Sequence, residues 1–394
     1  MTDLWTNAGT VGLRARFAYD FSAEHHLLRD SMLSFAREQI APGAALRDKE
    51  RVFPIELVNE LGAMGIMAAR VPEALGGPGV DTVGYTLILE ALGRADIGLA
   101  SVVAATNLVA AILAEHATAA QRERWLLPLC TGAAGAAAFC LTEPAGGSDA
   151  SALSTTATRD GDEFVLNGSK MWITSGGHAG LYLVFARTES EDEGKGISAF
   201  VVEPGTSGLE IGKDEPKMGQ RCSGTTALHF DECRIPSENL MGPLHGGYRA
   251  ALSSLGVGRI GIAGACIGVA EAAFVEGLSY GRERMAFGRP IMQHQTSQFM
   301  MADCRTELDA AWLLTLRAAF LHDNGCRANT ESSMAKVVAS ETTDRIVDRM
   351  LQLHGGYGYS EEYPIERLYR DSRVLRIYEG TSEIQRMIIA RSLV

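Results

Sequence analysis

The stretch from Thr155 to Gly176, TTATRDGDEFVLNGSKMWITSG, marks a change of character in the chain. Two β-prone runs flank Asp160-Gly161-Asp162, and a glycine between such runs supplies the positive φ that a tight hairpin needs. Downstream, LYLVFART, GISAFVVEP and ALHFDECRIP read as further strands separated by Gly, Pro, Asp and Ser. The spacing predicts a small β domain from about 135 to 243. The segment RTESEDEGKG (187–196) reads as an exposed acidic loop.

On both sides of this region the apolar period is helical. EHHLLRDSMLSFAREQI sets Leu27, Leu28, Met32, Phe35 and Ile40 on one face, and PIELVNELGAMGI places Pro54 at a first helical position. From Ile97 to Leu113 the chain is apolar nearly all round, which predicts a buried central helix. Helical periodicity returns in GYRAALSSL and continues through ELDAAWLLTLRAAFLH and MAKVVASETTDRIVDRMLQLH. The order is α, β, α: an α+β multidomain chain with domains expected at 1–134, 135–243 and 244–394.

With 394 residues and 46% hydrophobic side chains, the chain can bury a large core. Its net charge of -12 disfavours nucleic acid and anionic membranes, which the average surface would repel. Seven cysteines without a CxxC pair, and nine histidines without ligand spacing, give no disulfide framework and no metal site. No membrane insertion is expected, and a cytoplasmic location is the default, or the mitochondrial matrix in a eukaryote. Arg14 and Arg16 are only a faint transit-peptide feature.

Gly256-Val257-Gly258-Arg259-Ile260-Gly261 satisfies G-x-G-x-x-G, with Glu276 twenty residues beyond its first glycine. A dinucleotide fingerprint needs a buried strand running into the glycine turn. Here the preceding GYRAALSSL reads as helix, so the match reads as small residues in a packed helix.

Four other segments combine polar and glycine-rich character. FCLTEPAGGSDAS presents Thr142 and Ser148, KMWITSGG carries Trp172 and Thr174 on a strand end, RERMAFGRPIMQHQ holds Arg284, Phe287 and Gln295, and QLHGGYGY holds Gln352, Gly355 and Gly356. Taken singly, Trp172 fits a core filler, Arg284 a surface ion pair and the glycines a helix C-cap. A fifth stretch, RIYEGTSEIQ (376–385), sets Glu379 ahead of a helix start. Ser382 and Gln385 fit a capping box there, and the box does not require Glu379.

Together and in this order, LTEPAGGSD, KMWITSGG, RMAFGRPIMQHQ, LQLHGGYGY, YPIERLYRD and IYEGTSEIQ resemble the acyl-CoA dehydrogenase family from end to end. The resemblance implies a helical N-terminal domain, a β-barrel-like middle domain and a C-terminal four-helix bundle, with one FAD per subunit. By motif position, Thr142, Ser148, Trp172 and Thr174 would meet the flavin or thioester region. Arg284, Phe287, Gln295, Gln352, Gly355 and Gly356 would reach the adenine half of a neighbouring subunit's cofactor, whereas Thr381 and Glu383 would line the phosphate and ribose region of their own subunit's cofactor. A shared site implies a homo-oligomer, typically a tetramer. Ser148, Arg259, Tyr378 and Gly380 would contact the substrate.

Glu379 matches the base that removes the α-proton of an acyl-CoA while a β-hydride leaves to the flavin, electrons then passing to an electron-transfer flavoprotein. Some relatives carry the base on an earlier helix, matching Leu255 to Arg259, where this chain has no acid. Many carry an aspartate at the position of Gly256, against the pantetheine arm, so a carrier-protein thioester is an alternative. An acyl-CoA oxidase on the same fold is another, and an NAD-dependent oxidoreductase or a non-catalytic binding protein are remote ones. Chain length is not legible; a monocarboxylic, short to medium or branched acyl group is the expectation.

Overall fold

The computed structural model describes residues 21–189 and 196–394. Arg14, Arg16 and most of the acidic loop therefore lie outside the described residues. Numbering helices of eight residues or more, the N-terminal part contains α1 (Ala23–Phe35), α2 (Ile55–Ala63), α3 (Thr82–Ala95) and α4 (Ile97–His116). Pro54 is the N-cap of α2, not its first helical residue. Its ψ of 61° lies outside the helical range, so the helix begins one residue later.

The sheet follows as β1 (Ala136–Cys140), β2 (Thr156–Asp160), β3 (Glu163–Thr174), β4 (Ala179–Arg187), β5 (Ile197–Val202), β6 (Leu209–Ile211), β7 (Thr225–Pro236) and β8 (Leu240–Met241). Its order is β6-β7-β3-β2-β4-β5-β8, with β1 parallel to β4. The β2–β3 hairpin closes at the Asp160–Glu163 pair, with Gly161 at φ 63° as the sequence requires. Strand β4 is buried on both faces. Leu181, Leu183 and Phe185 join one apolar cluster with Val109 and Leu113 of α4, whereas Tyr182, Val184 and Ala186 join another with Phe164, Phe200 and Phe230. The two-residue alternation of a strand thus ties the sheet to the helices on one side and closes it on itself on the other.

The C-terminal part holds α5 (Gly247–Glu283), α6 (Gln295–Asp323), α7 (Asn329–His354), α8 (Ile365–Ser372) and α9 (Ser382–Arg391). The G-x-G-x-x-G match lies wholly within α5, with no strand leading into it. Its last glycine and those that follow it along α5 serve packing against α3. A Cβ on Gly261 would stand 2.6 Å from Tyr85 Cε1 of α3, one on Gly264 would stand 2.6 Å from the Thr86 oxygen, and Gly268 lies against the Glu90 oxygen. From the α3 side, Gly93 lies against the Ala265 backbone. Each helical glycine costs about 1 kcal/mol relative to alanine; here that loss allows backbone contact over several turns.

Helix α4 is buried almost all round, as its composition predicts, and Asp96 caps it by accepting from Gly98 N at 3.1 Å while pairing with Arg47 at 2.9 Å. Both α4 and α5 are long and apolar enough to cross a bilayer, yet 89% of each apolar window is buried inside the protein. All seven cysteines are free thiols, six of them buried.

Candidate active site

Glu379 and Gly380 form a corner between the turn Arg373–Arg376 and α9, with φ of 52° and 92°. A left-handed glutamate costs about 1–2 kcal/mol, so the surrounding contacts must hold it. They do so through its carbonyls. The Gln385 side chain donates to the Glu379 oxygen at 3.3 Å and to the Gly380 oxygen at 2.9 Å, and Lys336 Nζ donates to the Gly380 oxygen at 2.7 Å. Arg259 Nε approaches the Glu379 oxygen at 3.5 Å.

This corrects the expected capping box. Thr381, extended at ψ 163°, is the N-cap and accepts from Ile384 N at 3.3 Å, while Ser382 is already helical and buried. Gln385 turns back onto the corner instead of capping Ser382.

The corner aims the Glu379 carboxyl into the interior. Burial pushes its pKa up to about 7, against the opposing pull of Lys336 and Arg259. Its Oε2 is buried without a hydrogen-bond partner among the described residues. Directly beside it lies Gly258, where a Cβ would stand 2.8 Å from Oε2 and 2.8 Å from Leu108 Cδ2. A side chain at position 258 would therefore collide with the carboxylate; this glycine is the space the carboxylate uses. Gly258→Ala is expected to displace the carboxylate and lower turnover by roughly a hundredfold, the order of loss for a 1 Å misplacement. Unchanged turnover in a steady-state assay would show that the space is not needed.

The carboxyl opens on a cavity of about 830 Å³. Thr142, Ser148, Trp172 and Thr174 line it from the sheet side, Arg259, Tyr378, Glu379 and Gly380 from the helical side, and Ser101, Ala105 and Leu108 from α4. Tyr378 is seated by its hydroxyl, 3.2 Å from Ser101 Oγ, which in turn donates to Gln220 at 2.8 Å. Trp172 is not the core filler its type suggests. A register shift between Lys170 and Ile173 puts it at φ 62°, and the residue is 57% exposed at the cavity edge. A flat indole beside the hydroxyls of Thr142, Ser148 and Thr174 suits a planar ring with polar edges, and these residues fit a flavin.

The loop after β1 is fixed by a pair that sequence reasoning missed. Glu143 Oε1 meets Lys170 Nζ at 2.6 Å and Thr155 N at 2.9 Å, and its Oε2 accepts from Ser154 N at 2.6 Å and Ser154 Oγ at 2.7 Å. Asn329 and Arg391 also line the cavity without having been singled out.

The remaining predicted residues lie elsewhere. Arg284, Gly355 and Gly356 line a second cavity of about 540 Å³, where the Arg284 guanidinium sits 5.3 Å from the centre of the Tyr357 ring. Arg284 is thus paired with an aromatic face and, among the described residues, not with a surface acid. Phe287 stands 97% exposed at φ 51°, and Gln295 and Gln352 are also exposed. None of these six lines the first cavity. Thr381 is occupied as the cap of α9, and Glu383 lies in its first turn, where its own backbone N–H and the Thr381 hydroxyl hold its pKa below the usual range.

Matches to three domain families cover this architecture in order: the acyl-CoA dehydrogenase N-terminal domain at residues 22–133, the middle domain at 138–233 and the C-terminal domain at 245–394. The chain belongs to the acyl-CoA dehydrogenase family. It is accordingly an FAD-dependent oxidoreductase. The mouse mitochondrial short-chain specific acyl-CoA dehydrogenase is 43% identical over 370 residues, 94% of this chain and 90% of that one. Butyryl-CoA dehydrogenase from Megasphaera elsdenii superposes with a TM-score of 0.92 at 38% identity, covering 95% and 99% of the two chains. A chain solved in work on the electron transferring flavoprotein of Acidaminococcus fermentans gives 0.93 at 38% identity, over 95% and 99%.

Proposed function

We propose that this acyl-CoA dehydrogenase oxidises a short, monocarboxylic acyl thioester to its trans-2-enoyl form, with Glu379 as the α-proton base. The observation that carries the reading is the Glu379 carboxyl: desolvated, raised to about 7, on the wall of the cavity, and with an Oε2 that has no hydrogen-bond partner among the described residues. A carboxylate so placed is a stronger base than one in water. The α-proton moves to the Glu379 carboxylate, while the Glu379 backbone N–H supports the thioester carbonyl as enolate charge develops. When bound, FAD would supply the acceptor for the hydrogen that leaves Cβ with its two electrons. Trp172, Thr142, Ser148 and Thr174 would hold its ring, and Arg284, Phe287, Gln295, Gln352, Gly355 and Gly356 would serve the adenine half in a neighbouring copy. The separation of these six from the first cavity supports that division, and with it a homo-oligomer.

Short chain length is supported by the α3–α5 contact. Backbone touching at Gly93, Gly264 and Gly268 leaves no passage between those helices, and no α3 residue lines the cavity. The cations on its lining are Arg259, which reaches the Glu379 carbonyl, and Arg391, and α4 contributes neither Lys nor Arg, so an ω-carboxylate has no partner on that wall. On the carrier side, Asn329 Oδ1 lies 3.4 Å from where a Gly256 Cβ would stand. An amide thus occupies the neighbourhood of the missing aspartate and supports a pantetheine arm, as in CoA. The similarity to the Acidaminococcus chain supports an electron-transfer flavoprotein as acceptor.

In a steady-state assay with electron-transfer flavoprotein, kcat/KM is expected to be highest for C4 to C6 acyl-CoAs and to fall by roughly 10- to 200-fold for C12. Equal rates from C4 to C16 would contradict the short cavity, and faster turnover with oxygen alone would assign an oxidase.

A further inference from the structure

The Glu379–Gly380 corner is held from below by a lysine that the reaction scheme does not use. Lys336 lies on α7 with its side chain wholly buried, and its Nζ donates to the Gly380 carbonyl at 2.7 Å. Among the described residues no carboxylate lies within 4 Å of this ammonium. A buried cation without a close counter-charge is unfavourable by itself, so what faces it matters.

Glu379 from the corner and Glu383 from α9 act on Lys336 as opposite charges, Arg259 of α5 as a like charge, and the Cys266 thiol of α5 is the remaining titratable neighbour. Burial pushes Lys336 down to about 8. Glu379 in turn feels Lys336 and Arg259, with Tyr85 of α3, Cys266 and Tyr378 as the other titratable groups around it. Arg259 approaches the corner at 3.5 Å and Gln385 is neutral, so Lys336 is the cation most closely bonded to it.

We propose that Lys336 is a positioning residue for the reaction: its Nζ fixes the Gly380 carbonyl, and with it the left-handed Glu379 backbone, while its charge eases ionisation of the Glu379 carboxyl. The proposal rests on Glu379 being the base. Lys336 lies outside the cavity lining, so it acts on the base and not on the substrate.

The test compares flavin-loaded wild type with Lys336→Arg, Lys336→Gln and Lys336→Met. The acidic limb of kcat against pH is expected to move up by about one unit or more in the Gln and Met variants, the size of shift an opposite charge at close range produces. The rate at pH 7 then falls several-fold and recovers toward pH 9, KM stays constant, and Lys336→Arg keeps the limb near its wild-type position. A second readout needs no turnover: the pH at which Glu379→Gln changes the melting temperature should also move up when Lys336→Met is the background. An unmoved limb and an unmoved melting difference would overturn the proposal. If no acyl thioester reduces the wild-type flavin, or if Glu379→Gln turns over as fast as wild type, the reading of Glu379 fails instead, whatever Lys336 does.

Discussion

Glu379→Gln is expected to fold, bind FAD and bind acyl-CoA while turning over roughly 10²- to 10⁴-fold more slowly, the contribution of a positioned general base. Glutamine has the shape of the acid and fits the space beside Gly258, so the loss isolates the missing base from disturbed packing. The variant also carries a stability signature. Burial raises the Glu379 pKa from the usual 4.5 to about 7, so the group's contribution to stability is fully present below its unfolded pKa and is lost as pH rises through 7. Glutamine has no such loss. At pH 8 the variant should therefore be the more stable protein by about 3 kcal/mol, with the difference gone near pH 4. Thermal melts at the two pH values check the sign. Residual turnover within a factor of ten of wild type would remove Glu379 from the role of base.

Lys170→Met is expected to cost about 3–5 kcal/mol and to loosen the loop that presents Thr142 and Ser148. Lys170 is fully buried and Glu143 is 4% exposed, so removing the cation leaves a carboxylate with nowhere to find water. Burial pushes the Glu143 pKa up, but Lys170, Thr155 and Ser154 outweigh it and hold the group at about 2. Its contribution is thus present above the ordinary carboxylate pKa and fades as pH falls through about 2. Flavin retention on dilution should drop along with the melting temperature. A double change, Lys170→Met with Glu143→Leu, should regain part of the stability, because a matched apolar pair replaces an orphaned charge. A single Lys170→Met variant with wild-type stability and flavin content would show that the pair does not hold the loop.

The sequence made local periodicity plain and left long-range contacts hidden. The hairpin at Gly161 was legible because a two-residue turn has its own chemistry, and α4 was legible because a helix apolar on all sides has to be buried. The G-x-G-x-x-G match could be set aside from its helical flank alone. The cap of α9 was misread by one residue, since Thr381 and Ser382 are both good cap formers and only the backbone decides between them. Lys336 and Gly258 were invisible as parts of the site. MAKVVAS reads as an ordinary helix with a lysine, and nothing local says which turn of α7 faces a loop 44 residues away. The Glu143–Lys170 pair spans 27 residues and two different strand edges, beyond any periodic signal. Glu379 itself was legible through its neighbours in RIYEGTSEIQ, whereas its raised pKa comes from burial that only the fold reveals.

Anaerobic titration of the flavin-loaded protein with butyryl-CoA, followed by absorbance near 450 nm, reads out whether Glu379 takes the α-proton of a short acyl-CoA in this cavity. Bleaching in wild type is expected to reach completion with excess substrate, with none on the same time scale in Glu379→Gln. Equal bleaching in both proteins, or none in wild type with any acyl-CoA from C4 to C16, would contradict it.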